Sequence, residues 1–231
     1  MEPQEEQGWF RSRLRWRASP PNEGLTWGLM LTGDPFIKKV ESYGVFSSTK
    51  AILEIGPGYG RLLKSILSRK LPFREYLGVE LSAKNVAYLN QTFPNERVSF
   101  VHADAEKIAF SRKFDVVLSS LVFKHLYPSF ERALANIASY ANQGGFFFFD
   151  LLEGRRRNFE GKEGEGSAYV REYSKKEIQG ILRRTSLVLV KIDEVRHTPD
   201  HVRLLIVAKK EKEGRREGRG WFSSLLVRRP D

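Results

Sequence analysis

The sequence predicts an α/β domain built on a seven-stranded, mostly parallel sheet with helices on both faces and an antiparallel hairpin at its C-terminal end. Short apolar runs alternate with segments whose apolar residues recur at helical spacing, which indicates parallel strands joined by right-handed crossovers. Two apolar runs near the end of the chain, at residues 187–195 and 201–208, flank a short turn. That spacing is typical of a hairpin.

The first five strands are predicted from short apolar runs. They cover residues 51–55, 76–79, 98–101, 114–118 and 146–149. The fifth consists of phenylalanines alone, which places it at the centre of the sheet. Helices are predicted at residues 61–70, 82–92, 130–140 and 174–185. A further helix is predicted from Asp34 as the N-cap, followed by Pro35 at the first helical position.

The chain divides into an arm, one domain and a tail. Residues 1–24 are polar and are predicted to form an irregular N-terminal arm, and residues 25–209 form the domain. Within it, the glycine-rich, charged segment 154–172 is either a lid-like insertion over the active site or a disordered surface loop. Residues 210–231 form a basic tail.

Composition excludes several kinds of site. The 231 residues include no cysteine, which rules out disulfides, thiolate metal sites and a cysteine nucleophile. No spacing of ligand residues suggests a metal. There is no apolar run of membrane-spanning length and no signal-like N-terminus, so a cytoplasmic protein is expected.

The excess of basic over acidic residues has two possible interpretations. Its 39 Lys and Arg against 28 Asp and Glu give a net charge of +11, and over half of this excess lies in residues 154–176 and 209–231. These segments are either solvated surface or a surface that faces anions such as nucleic acid. As a helix, residues 219–229 would place four apolar side chains on one face, for a membrane surface or another subunit; a flexible tail is the alternative.

A glycine-rich loop, residues 54–60, joins the first strand to the following helix with the sequence Glu-Ile-Gly-Pro-Gly-Tyr-Gly. Loops at this end of a parallel sheet hold ligands. A phosphate-binding P-loop would need Gly-Lys-Ser or Gly-Lys-Thr, whereas the chain has Gly60-Arg61-Leu62. A dinucleotide-binding loop would need glycine where Arg61 stands, and the arginine would crowd the helix against the strand.

The loop instead resembles motif I of the Rossmann-like S-adenosylmethionine-dependent methyltransferases, which has the pattern acidic-x-Gly-x-Gly-x-Gly. Three further pieces follow in the order of that family. Glu80 ends the second strand, residues 102–106 form an acidic stretch after the third, and residues 114–120 are similar to motif IV. The resemblance spans roughly residues 25–209, and the family's seven-stranded sheet also ends with a reversed strand.

The resemblance implies S-adenosyl-L-methionine as cofactor and S-adenosyl-L-homocysteine as product. Glu54 is then expected to reach the amino group of the methionine part, and Glu80 to accept both ribose hydroxyls. Asp104 would bind the adenine amino group, unless it only caps a turn, and the Ala105 amide would face a ring nitrogen. The other residues assigned to the cofactor are Gly56, Gly58, Gly60, Leu81, Ser120 and Trp27, of which Trp27 is at least as well explained as a core residue.

The acceptor of the methyl group is constrained mainly by exclusion. Residues 119–122 read Ser-Ser-Leu-Val, unlike the signature of enzymes that methylate exocyclic amines of nucleic acids. His125 is the candidate general base, because imidazole titrates near neutrality; a purely structural histidine is the alternative. Residues 27–34 are similar to stand-alone bacterial enzymes that act on small molecules.

These observations predict a methyltransferase that acts on an oxygen or nitrogen atom of a small molecule, with a sugar or secondary-metabolite intermediate as the first candidate. An RNA- or protein-directed methyltransferase, favoured by the net charge, is one alternative. A catalytically silent cofactor-binding scaffold is the other. The sequence leaves the oligomeric state open.

Overall fold

The secondary structure follows from a computed structural model that describes residues 3–21, 33–160, 168–198 and 201–211. The helices within these ranges are α1 (Pro3–Ala18), α2 (Asp34–Glu41), α3 (Arg61–Ser68), α4 (Ala83–Thr92), α5 (Glu131–Ser139) and α6 (Lys175–Arg184). The strands are β1 (Ser47–Ile55), β2 (Phe73–Glu80), β3 (Val98–His102), β4 (Phe114–Ser119), β5 (Ala141–Glu153), β6 (Arg157–Glu160), β7 (Ala168–Tyr173), β8 (Leu187–Thr198) and β9 (His201–Lys210). A short 3₁₀ turn, Phe123–His125, follows β4.

The strands form one mixed sheet in which the order β3-β2-β1-β4-β5-β9-β8 runs from edge to edge. Strands β1 to β5 are parallel, and β9 runs antiparallel to its neighbours β5 and β8. The predicted fold class, with a mostly parallel sheet and a C-terminal antiparallel hairpin, is confirmed. The strand order reverses at β1, so a crevice opens at the carboxyl ends of β1 and β4.

The charged segment 154–172 contains strands that the sequence analysis does not predict. β7 runs parallel to the end of β5, and β6 pairs antiparallel to β7, so the sheet has nine strands and not seven. The charged residues of β7 are typical of a surface loop, so the sequence does not indicate a strand here. Arg171 and Glu172 are nevertheless buried, because they pair with Glu177 and Arg156. The lid role of the segment stays a prediction.

The N-terminal arm is a helix, α1, and not the irregular segment that its polar composition predicts. Trp9, Ser12, Arg13 and Trp16 follow an i, i+3, i+4, i+7 spacing, so their side chains share one face. That face lies against the domain; for example, the Ser12 hydroxyl accepts a hydrogen bond from the Tyr169 amide at 2.9 Å. A helix this polar depends on tertiary contacts for its stability, and composition does not reveal them.

Helix α2 begins at Asp34, as predicted, but its N-cap is Gly33. The carboxylate of Asp34 does not cap its own helix. It accepts a hydrogen bond from the Ser65 hydroxyl at 3.1 Å, which ties α2 to α3. The predicted capping role was therefore wrong by one residue.

Both faces of the sheet are covered by helices, which leaves the strand ends for binding. Alternate residues of β1 point to opposite sides. Ala51, Leu53 and Ile55 belong to a core shared with α5 and α6, whereas Ile52 belongs to a core shared with α2 and α3. No helix in the described part of the chain is both long and apolar enough to cross a membrane.

Candidate active site

The loop between β1 and α3 places three glycines at the carboxyl end of β1. Gly56, Gly58 and Gly60 have φ angles of 68°, 60° and 86°, a left-handed conformation that favours glycine. The Gly56 amide donates a hydrogen bond to the Val79 carbonyl at 2.8 Å and so ties the loop to β2. A Cβ atom at Gly58 would meet no atom within 4 Å. The backbone at Gly58 therefore borders open space and can be approached closely by a ligand.

Glu54 lies in β1, just before this loop, and is buried. Its Oε2 accepts a hydrogen bond from the Tyr76 hydroxyl. Burial raises the pKa of Glu54 to about 8, an effect that the charge of Arg61 opposes and that of Glu80 increases. At neutral pH the carboxyl group is therefore mostly protonated, and a cation placed beside it would favour the carboxylate. Glu54 is thus suited to bind an ammonium group.

Glu80 ends the neighbouring strand β2, and two backbone amides fix its carboxylate. Oε2 accepts a hydrogen bond from the Gly58 amide at 2.9 Å, and Oε1 accepts one from the Ser82 amide at 3.0 Å. The next residue, Leu81, is half-buried, and its carbonyl lies 3.1 Å from His102 Nε2. The carboxylate oxygens of Glu80 retain lone pairs for further donors. Its expected contact with the ribose hydroxyls remains a prediction.

The acidic turn after β3 is in contact with the N-terminal helix. Asp104 forms an ion pair with Arg13, whose guanidinium also lies 3.4 Å from Glu106. The Ala105 amide makes no hydrogen bond with any residue in the described ranges, so it is available to a ligand. An adenine amino group at Asp104 would have to share the carboxylate with Arg13 or displace it.

A buried ion pair sets the turn after β4. Asp150 of β5 pairs with Arg203 of β9, and both side chains are 2% exposed. The free oxygen of Asp150 accepts a hydrogen bond from the Leu121 amide at 2.7 Å, which holds Leu121 at a φ angle of 68°. Next to it, the hydroxyl of Ser120 is buried and has no hydrogen-bond partner among the described residues. Such a hydroxyl is suited to a polar atom of a ligand.

His125 ends the 3₁₀ turn, and its imidazole is held in one tautomer. Nδ1 lies 2.7 Å from the Tyr169 carbonyl oxygen, which can only accept, so Nδ1 carries the proton. Nε2 keeps its lone pair and makes no hydrogen bond with the residues that the structure describes. Burial, reinforced by the charge of Lys124, lowers the pKa of His125 to about 3. The imidazole is therefore neutral throughout the physiological pH range.

One aromatic ring packs on His125, and three further aromatic residues pack on one another beside it. The ring of Trp16 lies 4.7 Å from the imidazole, Trp9 lies 5.7 Å from Tyr127, and Tyr127 lies 5.2 Å from Tyr169. We call these four residues of α1, β7 and the intervening loop the aromatic wall. The indole Nε1 of Trp16 is buried without a hydrogen-bond partner in the described part of the chain. The aromatic wall thus combines apolar ring surfaces with the indole donor of Trp16, which no described residue engages.

Some predicted features lie outside the described residues. Trp27, assigned to the cofactor pocket, is one of them, together with most of the stretch 27–34. The basic tail beyond Glu211 is another, including the segment 219–229 with its expected membrane or subunit contact. Within the described ranges, no group of His, Asp and Glu side chains is placed to hold a metal ion.

The residues at the crevice fit the cofactor that the sequence resemblance implies. Gly58 offers an open backbone surface between two buried acids, Glu54 and Glu80. Ser120 contributes a buried hydroxyl and Ala105 an amide, neither of which has a hydrogen-bond partner among the described residues. Together these groups can meet an ammonium, a ribose and the edge of a base.

Comparison with known proteins agrees with the fold. Residues 53–149 match a family described as a methyltransferase domain. The chain is 30% identical over 151 residues to phthiotriol/phenolphthiotriol dimycocerosates methyltransferase 1 of Mycobacterium ulcerans, a match that covers 62% of this chain and 55% of that protein. It is 32% identical over 101 residues to a fatty-acid O-methyltransferase of Mycolicibacterium smegmatis, covering 43% of this chain and 36% of the relative. The chain thus spans about half or less of the length of these relatives.

A solved structure shares the architecture. The 1,6-didemethyltoxoflavin-N1-methyltransferase of Burkholderia thailandensis, with bound 1,6-didemethyltoxoflavin and S-adenosylhomocysteine, superposes with a TM-score of 0.60 and covers 92% of each chain at 18% identity. At this identity the likeness concerns the fold alone. The chain thus has a Rossmann-like α/β fold, and its residues 53–149 are similar to a methyltransferase domain.

The sequence analysis missed several residues that shape the site. Asp150 directly follows the run of phenylalanines in β5, and Glu54 and Glu80 likewise lie at the C-terminal ends of apolar runs. Arg203 is a charge between buried apolar residues of β9, a pattern that indicates a buried partner. Trp16 belongs to the helical spacing of α1. The contact between Arg13 and Asp104 has no local signal, because it joins residues far apart in the sequence.

Proposed function

We propose that this protein transfers the methyl group of S-adenosylmethionine to a hydroxyl oxygen of an apolar small molecule. The observation that supports the cofactor best is the open backbone at Gly58, set between the buried acids Glu54 and Glu80 at neighbouring strand ends. A ligand with an ammonium group at one end and a ribose at the other matches this arrangement. The similarity of residues 53–149 to a methyltransferase domain supports the same assignment.

The chain's own residues account for how the cofactor would be held. When bound, S-adenosylmethionine supplies an electrophilic methyl group on a sulfonium. Glu54 would accept a hydrogen bond from the ammonium group and Glu80 from the ribose hydroxyls, while Asp104 and Ala105 would face the adenine. Holding both ends fixes the direction of the methyl group, and positioning of this kind can be worth ~7–11 kcal/mol.

The state of His125 favours oxygen over nitrogen as the acceptor atom. Its Nε2 can accept the hydrogen bond of an approaching hydroxyl and so orient the oxygen. A hydroxyl oxygen that gains a carbon substituent becomes a strong acid, so even an imidazole with a pKa of about 3 can take its proton. A methylated amine is a far weaker acid, and this imidazole would not deprotonate it.

The aromatic wall favours an apolar acceptor molecule. Trp9, Trp16 and Tyr127 are half-buried rings near His125, Tyr169 is buried against Tyr127, and the Trp16 indole offers one hydrogen-bond donor. The names of the relatives point the same way, since they include a fatty-acid O-methyltransferase and a methyltransferase of phthiotriol lipids. A sugar, the first candidate from the sequence, fits this wall less well.

The acceptor can be identified without prior choice of substrate. The protein is incubated with a cell extract and S-adenosylmethionine that carries a deuterated methyl group, and the extract is analysed by mass spectrometry. We expect the label on the oxygen of an apolar small molecule, and we expect excess S-adenosylhomocysteine to suppress labelling. Label on nitrogen would refute the oxygen assignment. Label only on RNA or protein would support a macromolecular substrate, and binding without any labelling would support a scaffold.

Gly58→Ala tests whether the glycine-rich loop, residues 54–60, binds the cofactor; we call this loop the cradle. Gly44→Ala is the matched control. The two glycines have φ angles of 60° and 62°, and a Cβ atom at either position would meet no atom within 4 Å. Both variants should therefore lose a similar ~1–2 kcal/mol of unfolding free energy from the left-handed backbone. Only Gly58→Ala should weaken S-adenosylhomocysteine binding, by about tenfold, because its methyl group occupies the cradle. Calorimetry that gives equal affinities for both variants would refute the assignment.

A further inference from the structure

Arg61 is a charged residue beside the cradle to which the proposed mechanism gives no role. It is the first residue of α3 and directly follows Gly60. Its side chain is half-buried, and its guanidinium carbon lies 5.5 Å from the centre of the Tyr59 ring. The guanidinium is therefore held at the carboxyl end of β1, on the same loop as the open backbone at Gly58.

The guanidinium of Arg61 has no counter-ion in the part of the chain that the structure describes. Among the residues that the structure describes, it makes no hydrogen bond and no ion pair. The acids near enough to influence its charge are already engaged, since Glu54 is bonded to Tyr76 and Asp150 is paired with Arg203. Burial lowers the pKa of Arg61, and the charges of Glu54 and Asp150 oppose this effect only in part. A planar group with five donors is left to bind an anion.

We propose that Arg61 binds the α-carboxylate at the amino-acid end of the cofactor. The inference rests on the proposed function and extends it, because it assigns the second charge of that zwitterion. Glu54 offers an acid for the ammonium group, and Arg61 offers a fork-shaped cation that matches a carboxylate in two-point geometry. The two side chains lie within electrostatic range of each other at the end of β1. Arg61 stands where a dinucleotide-binding loop would need glycine, and in this assignment it recognises the amino-acid end of a different cofactor.

Two ligands that differ only in the carboxylate test this assignment. We compare the binding of S-adenosylmethionine and of decarboxylated S-adenosylmethionine by calorimetry, in the wild type and in Arg61→Met. The wild type should prefer the carboxylated compound by about tenfold or more, the range of a hydrogen bond to a charged group. Arg61→Met should lose this preference and keep its affinity for the decarboxylated compound, which also shows that the variant is folded. Arg61→Lys should retain part of the preference, because it keeps the charge and loses the fork.

Arg69→Met provides the matched control. Arg69 is the C-cap of the same helix, α3, and it pairs with Asp34 and Glu41, the first and last residues of α2. Both affinities should stay at their wild-type values in this variant. A full preference for the carboxylated compound in Arg61→Met would overturn the inference while leaving the proposed function intact. Tighter binding in Arg61→Met would overturn it as well, since the side chain would then obstruct the pocket. A wild type that binds neither compound would refute the proposed function itself.

Discussion

His125→Asn is expected to lower turnover by about a hundredfold or more while cofactor affinity stays unchanged. General-base catalysis contributes on this scale. Asparagine can still donate a hydrogen bond to the Tyr169 carbonyl, as Nδ1 does in the wild type, so the packing of the turn should survive. Asparagine has no acceptor lone pair at the position of the His125 Nε2 atom, so it cannot act as the base. Steady-state kinetics on the identified acceptor, with S-adenosylhomocysteine binding as the control, separate the two effects.

The pH dependence of turnover provides an independent check on His125. Because burial lowers its pKa to about 3, the imidazole stays neutral down to pH 5. With cofactor and acceptor both saturating, turnover should not fall between pH 8 and pH 5 through protonation of this group. A titration near pH 6.5 that disappears in His125→Asn would show an ordinary, solvated histidine. Wild-type turnover in His125→Asn would end its assignment as the base.

Cofactor affinity is expected to rise by roughly tenfold per pH unit from pH 6 to just below pH 8, and to level off above. The cause is Glu54, whose pKa is raised to about 8 by burial and must fall when the carboxylate binds an ammonium group. Below pH 8 the carboxyl group must release a proton before it can bind, and this release weakens binding. Burial has the largest effect on this pKa, the charge of Arg61 lowers it, and the charge of Glu80 raises it.

Calorimetric titration with S-adenosylhomocysteine at several pH values tests this expectation. Glu54→Gln is the control, because an amide keeps the shape of the side chain and has no proton to release over this range. Its affinity should be lower than that of the wild type at pH 8 and should not depend on pH between 6 and 8. Equal slopes in the wild type and in Glu54→Gln would place the titrating group elsewhere.

The sheet and the cradle were predictable because both depend on local sequence. Alternating apolar strands and helices specify a parallel α/β fold whatever the detailed packing. Gly56, Gly58 and Gly60 occupy left-handed positions, as a tight loop between strand and helix requires. Glu54 and Glu80 end neighbouring parallel strands, so their proximity follows from the topology. These residues could be assigned without any knowledge of tertiary contacts.

The parts that were not predicted depend on contacts between distant segments. α1 is polar, and it contacts the site through the ion pair of Arg13 with Asp104 and the ring contact of Trp16 with His125. β7 carries charges that normally mark a surface loop, and its burial is possible because Arg171 pairs with Glu177 and Glu172 with Arg156. No local pattern specifies such partners. The aromatic wall, and with it the character of the acceptor, therefore appears only in the folded structure.

The central claim is that the crevice at the ends of β1, β2 and β4 binds an adenosyl sulfonium and no dinucleotide. The melting temperature of the wild type in the presence of S-adenosylhomocysteine, compared with NAD, tests it directly. A ligand at a hundred times its Kd stabilises the folded state by about 2.7 kcal/mol, so S-adenosylhomocysteine should raise the melting temperature by about 5 °C or more. NAD should leave it unchanged. An equal shift with both ligands, or a shift with NAD alone, would contradict the assignment of this pocket.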